Sequence, residues 1–162
     1  MINSALEYCT QGWSVIPLKP RGKRPLVEWE SYQGIAAGED EIREWWDKWP
    51  DANIGVITGS VSGLVVIDLD GDGGAQLFEQ YGLTMQRTGV VQTGKGYHGY
   101  YAYFDTDIGN RARWLSNSSC SVDVRGEGGY VVAPPSIHES GRVYQWVRPS
   151  AQIVALPQQL IA

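Results

Sequence analysis

The chain reads as an α+β protein with a largely antiparallel sheet, and three observations predict it. The run Leu64-Val65-Val66-Ile67, followed by Asp68-Leu69-Asp70-Gly71, is β-branched and glycine-bounded, the pattern of a buried strand. Ile42, Trp45, Trp46 and Trp49 recur at i, i+3, i+4 and i+7, which is one face of a helix. The second half is rich in short strand-like runs separated by glycine turns, so its few helices belong on one side of a sheet.

The elements follow in order. Asn3 is placed to cap a short helix ending near Thr10 and Gly12, after which Trp13 to Leu18 reads as a strand. Lys19 to Pro25 is a proline-stiffened basic loop. A helix starts at Asp40 and stops at Pro50, and Asn53 to Gly59 forms a short strand entering a glycine turn. The aspartate strand then leads into a helix from about Gly74 to Tyr81. Thr88 to Thr93 and Tyr97 to Phe104 flank Gly94-Lys95-Gly96 as a hairpin, and Asp105 to Cys120 is polar and loop-like. Three further strands are expected: Ser121 to Arg125, Gly128 to Ala133 and Arg142 to Val147. The apolar end, Ala151 to Ala162, suggests a module of a longer protein.

At 162 residues the chain makes one domain and buries about two-thirds of its unfolded surface. Cys9 and Cys120 are too few for a disulfide framework or a zinc site. No apolar run approaches about 18 residues and no signal-peptide pattern follows Met1, so a cytoplasmic protein without membrane contact is expected. A net charge of −5 speaks against a surface built wholly for nucleic acid. It leaves room for a local groove, because Lys19, Arg21, Lys23 and Arg24 share one loop and Arg111 and Arg113 another. These six are the candidate DNA-binding residues, against the plain alternative of solvated loops.

Asp68 and Asp70, two apart in an extended strand, share one face. Two like charges there call for a cation, and Mg²⁺ or Mn²⁺ would leave coordination positions open for phosphate oxygens. Asp68, Asp70, Asp72, Gly73 and Glu79 also satisfy the EF-hand loop pattern, but the loop is entered from a strand where an EF-hand needs a helix. Gly89 to Lys95 matches the start of a P-loop, yet Gly96 stands where Ser or Thr belongs and a strand follows. His98, beside Lys95 and the glycine turn, is placed to donate to a phosphate, or is an ordinary sheet residue. Asp123 and Arg125 alternate with Val122 and Val124, so Asp123 either pairs with Arg125 or completes the site begun by Asp68 and Asp70.

Five features occur in a fixed order: Ala52-Asn53-Ile54-Gly55 with Thr58-Gly59; Asp68-x-Asp70; Gly94-x-Gly96-x-His98; Asp123-x-Arg125; and Gly128 to Ser136 with His138. This set resembles the bifunctional DNA primase/polymerase (prim-pol) domains of the archaeo-eukaryotic primase superfamily, found at the N-termini of plasmid and phage replication proteins. The resemblance covers nearly the whole chain, including Gly12-Trp13, Pro17-Leu18 and Trp45-Trp46. It implies an archaeo-eukaryotic primase-like fold: an N-terminal αβ subdomain over 1–60, packed on a sheet resembling an RNA-recognition motif (RRM) over 61–162, with the site in the cleft between them.

By position, the resemblance implies that Asp68, Asp70 and Asp123 are the catalytic carboxylates and bind the divalent metals. It implies that His98 contacts the phosphates of the incoming nucleotide. The residue two before that histidine is commonly Ser or Thr in the superfamily and is Gly96 here, so backbone amides at Gly94 to Gly96 would stand in for the hydroxyl. The chain lacks the cysteines of the zinc stem that some relatives insert.

The expected activity is therefore a DNA-directed nucleotidyltransferase, a primase and/or DNA polymerase. It would make or extend primers on single-stranded DNA from NTPs or dNTPs, with Lys95, His98 and Arg125 neutralising the departing pyrophosphate. A replicative helicase, C-terminal or separate, is the expected partner. Two other readings remain: a metal-dependent Asp-x-Asp glycosyltransferase, and a catalytically weak module that binds single-stranded DNA for a helicase.

Overall fold

A computed structural model describes residues 1–83, 85, 87–103, 107–149 and 152–157. In chain order the elements are α1 (Ile2–Thr10), β1 (Ser14–Leu18), a 3-10 turn (Glu30–Gln33), α2 (Glu39–Lys48), β2 (Asn53–Ile57), β3 (Leu64–Asp70) and α3 (Gly74–Gln80). Then come β4 (Gly89–Gln92), β5 (Gly96–Ala102), β6 (Arg111–Ser116), β7 (Ser121–Arg125), β8 (Tyr130–Ala133), β9 (Gln145–Arg148) and β10 (Val154–Ala155). The molecule is α+β, with two sheets that are antiparallel except where β10 pairs parallel with β5.

The smaller sheet has the order β1-β2-β8 and the larger the order β6-β7-β3-β5-β4-β9, with β10 beside β5. Pro17 is tolerated in β1 because that strand is the edge of the smaller sheet, where a missing N–H costs no ladder bond. Hydrogen bonding does not divide the chain at residue 60. β8 pairs with β2 from Ile54↔Ala133 to Ile57↔Tyr130, and so carries the second half of the chain into the first.

β3 separates two cores by strand alternation. Leu64 and Val66 face the core built on α1, α2 and the smaller sheet, while Val65, Ile67 and Leu69 face the core under α3. α3 is only seven residues long and would not persist alone. It is held by burying Leu77 and Phe78, each stabilising the fold by roughly 1.5–3 kcal/mol. In α2 the expected stripe is present: Ile42, Trp45 and Trp46 are buried, and Trp46 Nε1 donates to Ala52 O.

Three expectations change. Met1, not Asn3, occupies the N-cap position of α1 and makes no side-chain cap; the helix starts two residues too early for Asn3 to cap it. The expected loop before Cys120 contains β6, an edge strand whose exposed Arg111, Ala112 and Arg113 hide the usual alternation. The strand expected over Arg142 to Val147 is β9, shorter and later since Val143 forms only an isolated bridge to Ile137, and it is not the last, because β10 follows it. Phe104, Asp105 and half of the apolar end (151 and 158–162) lie outside the described residues. Among the described residues, no helix is long and apolar enough to cross a membrane.

Candidate active site

β3 is flanked by β5 and β7 and carries the site at its C-terminal end. On one face its side chains run Leu64, Val66, Asp68, Asp70: the first two are core, and the last two emerge from it. Asp68 lies directly opposite His98 in β5 and Asp123 in β7, and Asp70 lies opposite Gly96 and Ser121. Opposed residues of an antiparallel pair share a face, so register alone brings Asp68, Asp70, His98 and Asp123 together.

His98 is buried, with Nε2 3.3 Å from Asp68 Oδ1. The two are close but make no hydrogen bond, so Asp68 Oδ1 is a buried acceptor without a proper donor, and His98 Nδ1 and Tyr100 Oη are likewise unpartnered. Burial pushes the Asp68 carboxyl up, but His98, Arg125 and Lys23 together hold it below its ordinary value. Asp70 goes the other way: burial and the Asp68 charge raise it. The site therefore holds two acids forced together, only one of them compensated.

Asp123 is fully engaged by its own neighbours. Arg125 Nη2 donates to its Oδ2 at 2.8 Å, and the Arg113 amide donates to its Oδ1 at 2.6 Å. β6 makes that amide available by breaking register between Arg111 and Leu115, with Arg113 at φ 52. Among the described residues, no three His, Cys, Asp or Glu side chains converge closely enough to hold a metal ion. The pair Asp68 and Asp70 nevertheless suits a divalent cation. It offers two mutually repelling carboxylates on one face, one with an orphaned oxygen, and Mg²⁺ commonly takes one or two carboxylates and completes its shell with water and phosphate.

A cavity of about 350 Å³ opens over this face, lined among others by Lys23, Asp68, His98, Arg125, Tyr130 and Tyr144. A second, also about 350 Å³, is lined by Arg21, Gly22, Lys23, Arg24, His138, Glu139 and Tyr144. The two share Lys23 and Tyr144, so of the basic loop Lys23 faces the cavity of Asp68, Arg21 and Arg24 line the adjoining one, and Lys19 lines neither. Arg111 and Arg113 are exposed on the β6 edge, outside both.

The glycine turn has a structural explanation that its sequence conceals. A Cβ on Gly96 would sit 1.8 Å from Leu69 O, and one on Gly94 would sit 2.3 Å from the His138 ring. The amides of Lys95 and Gly96 donate to Thr93 Oγ1. Lys95 itself is exposed, and its charge acts on Asp70.

Tyr144 and Asn110 have no sequence signal of their own, and the ordered motifs contain Asn53 and His138 without giving either a role. Tyr144 lines both cavities, and burial with the charges of Asp68 and Asp70 pushes its hydroxyl up to about 12. His138 accepts the Ser140 amide at Nδ1 and closes the second cavity. Asn53 donates to Gly22 O and Ile137 O and accepts from Ile137 N, tying the basic loop to the His138 turn. Asn110 braces the turn after β7 through Gly126 N and Gly128 O.

The sequence over residues 5–159 matches the family of bifunctional DNA primase/polymerase N-terminal domains. No curated protein matches the chain significantly. The match spans every element named above except the first residues of α1, and the chain belongs to the bifunctional DNA primase/polymerase N-terminal (Prim-Pol) family, whose DNA primase/polymerase activity it is accordingly assigned.

Proposed function

We propose that the chain is a DNA-directed nucleotidyltransferase that makes or extends primers on single-stranded DNA from NTPs or dNTPs. The observation that carries this is the register of three adjacent strands, which places Asp68, His98 and Asp123 on one face beneath a cation-lined cavity. Divalent cations held by Asp68 and Asp70, and by Asp123 when it is free, would supply charge neutralisation and activation of a primer 3′-hydroxyl.

The protein's own part is positioning. Lys23, Arg125 and His98 face the first cavity and suit the negative charge of a triphosphate, and Arg21, Arg24 and His138 extend that potential into the second. Walls from the buried Tyr144 and the half-buried Tyr130 reduce the dielectric, so these charges act more strongly than in water. The basic edge of β6, with Arg111 and Arg113, is the proposed path for the nucleic-acid backbone. On this reading the larger sheet with α3 is the RRM-like catalytic part, residues 1–60 the N-terminal part, and a replicative helicase the partner.

The test is incorporation of NTPs or dNTPs on single-stranded template, with and without primer, in Mg²⁺ or Mn²⁺. Asp68→Ala is expected to lower incorporation at least about 10²-fold. Full activity in that variant would refute the reading.

A further inference from the structure

Asp123 sits opposite Asp68 in register, yet both of its oxygens are taken, Oδ2 by Arg125 and Oδ1 by the Arg113 amide. Arg125 is not locked there. Its side chain is 32% exposed and lines the same cavity as Asp68, His98 and Lys23. Guanidinium forks bind carboxylate and phosphate with the same geometry, so a phosphate entering this cavity competes with Asp123 for Arg125. Loss of Arg125 would leave Asp123 oriented by the Arg113 amide, with Oδ2 open and the Asp68 carboxylate across the strand.

We propose that Arg125 is a two-position counter-cation: in the free protein it neutralises Asp123 and withholds it from metal, and on nucleotide entry it turns to the phosphates and releases Asp123 as a ligand. The proposal rests on the nucleotidyltransferase reading and deepens it, since it makes the third carboxylate available only when a nucleotide is bound. The ion pair then couples nucleotide and metal: each tightens the other by the same factor, because binding free energies are reciprocal. It also spares the free protein a second uncompensated carboxylate beside Asp70.

Two measurements on the whole chain test this. In EDTA, with binding of a non-hydrolysable dNTP followed by calorimetry, Asp123→Asn is expected to tighten binding about tenfold by freeing Arg125. In an Arg125→Gln background the same substitution should change affinity less than about twofold, where simple removal of a negative charge would still help. Without nucleotide, with Mn²⁺ counted by electron paramagnetic resonance, the wild type should bind one ion, Arg125→Gln two, and Arg125→Gln/Asp123→Asn one. The double variant removes both partners together, so it leaves no unpaired buried charge and serves as the folding control.

Two ions on the nucleotide-free wild type, one ion on Arg125→Gln, or an Asp123→Asn gain that persists without Arg125 would each overturn the switch. Absence of both Mn²⁺ and nucleotide binding in every form would overturn the nucleotidyltransferase reading beneath it.

Discussion

Asn53 and Ile137 form a two-point clamp: Asn53 Nδ2 donates to Ile137 O at 2.8 Å, and Asn53 Oδ1 accepts from Ile137 N at 2.9 Å. The same Nδ2 donates to Gly22 O at 3.0 Å, so one buried amide fixes both walls of the second cavity. Asn53→Ala would leave an N–H and two carbonyls unpaired, and is expected to cost about 2–3 kcal/mol in chemical denaturation. Nucleotide affinity should fall with it. Asn53→Asp should do no better, since it loses the donor that serves both loops.

Gly94 is where the glycine turn receives His138. Gly94→Ala places a methyl against the imidazole ring, so the ring must move, at a cost of about 1–3 kcal/mol. Thermal unfolding should show Gly94→Ala destabilised, and Gly94→Ala/His138→Ala regaining part of the loss because the clash is gone. A double variant no more stable than the sum of the two single losses would show that the ring does not rest on this turn.

Asp70 is held at a cost to stability. Its carboxyl is raised by burial and by Asp68, so the folded state disfavours its ionised form. That penalty is present at neutral pH and is relieved as pH falls through the window above the ordinary carboxylate value. Asp70→Asn should therefore raise Tm in EDTA by about 2–4 °C at pH 7, with the gain shrinking towards pH 4. Asp68 has the opposite sign: held low by His98, it contributes stability that is lost only below the ordinary carboxylate range. A pH-independent gain in Asp70→Asn would contradict the repulsion.

Arg111 and Arg113 should contact phosphates and no base edge. Replacing both with Gln is expected to weaken single-stranded DNA binding uniformly across sequences. The slope of log K against log salt should fall by about 1.4, two phosphates at roughly 0.7 each. Sequence-dependent losses in that variant would place base readout on this edge instead.

The carboxylate face was legible because its signal is local. Asp68 and Asp70 follow a β-branched run, and His98 and Asp123 lie on strands whose alternation assigns each a face. Register supplied the rest, but register is decided by pairing between distant strands, which a single sequence does not display. Tyr144 has no sequence signal for that reason, and Asn53 and His138, though part of the ordered motifs, show no role there, since Asn53 acts on Gly22 and Ile137 and all three meet the distant basic loop only in the fold. β6 was hidden differently: an edge strand needs no inward alternation, and its arginines imitate a loop. The glycines at 94 and 96 suggested room for phosphate, whereas their neighbours are a histidine ring and a β3 carbonyl.

β8 comes late in the chain, yet it closes the smaller sheet against β2. It acts as a suture between the two halves of the chain. To swing one half away from the other, the molecule would have to break four consecutive strand pairings and uncover Val131, Val132 and Ala133, all buried. The frame around the carboxylates is therefore rigid, and adjustment to an arriving substrate falls to side chains at its rim. Removing everything beyond residue 129 would not free an N-terminal unit; it would leave β2 with a bare, apolar edge open to pairing with another chain.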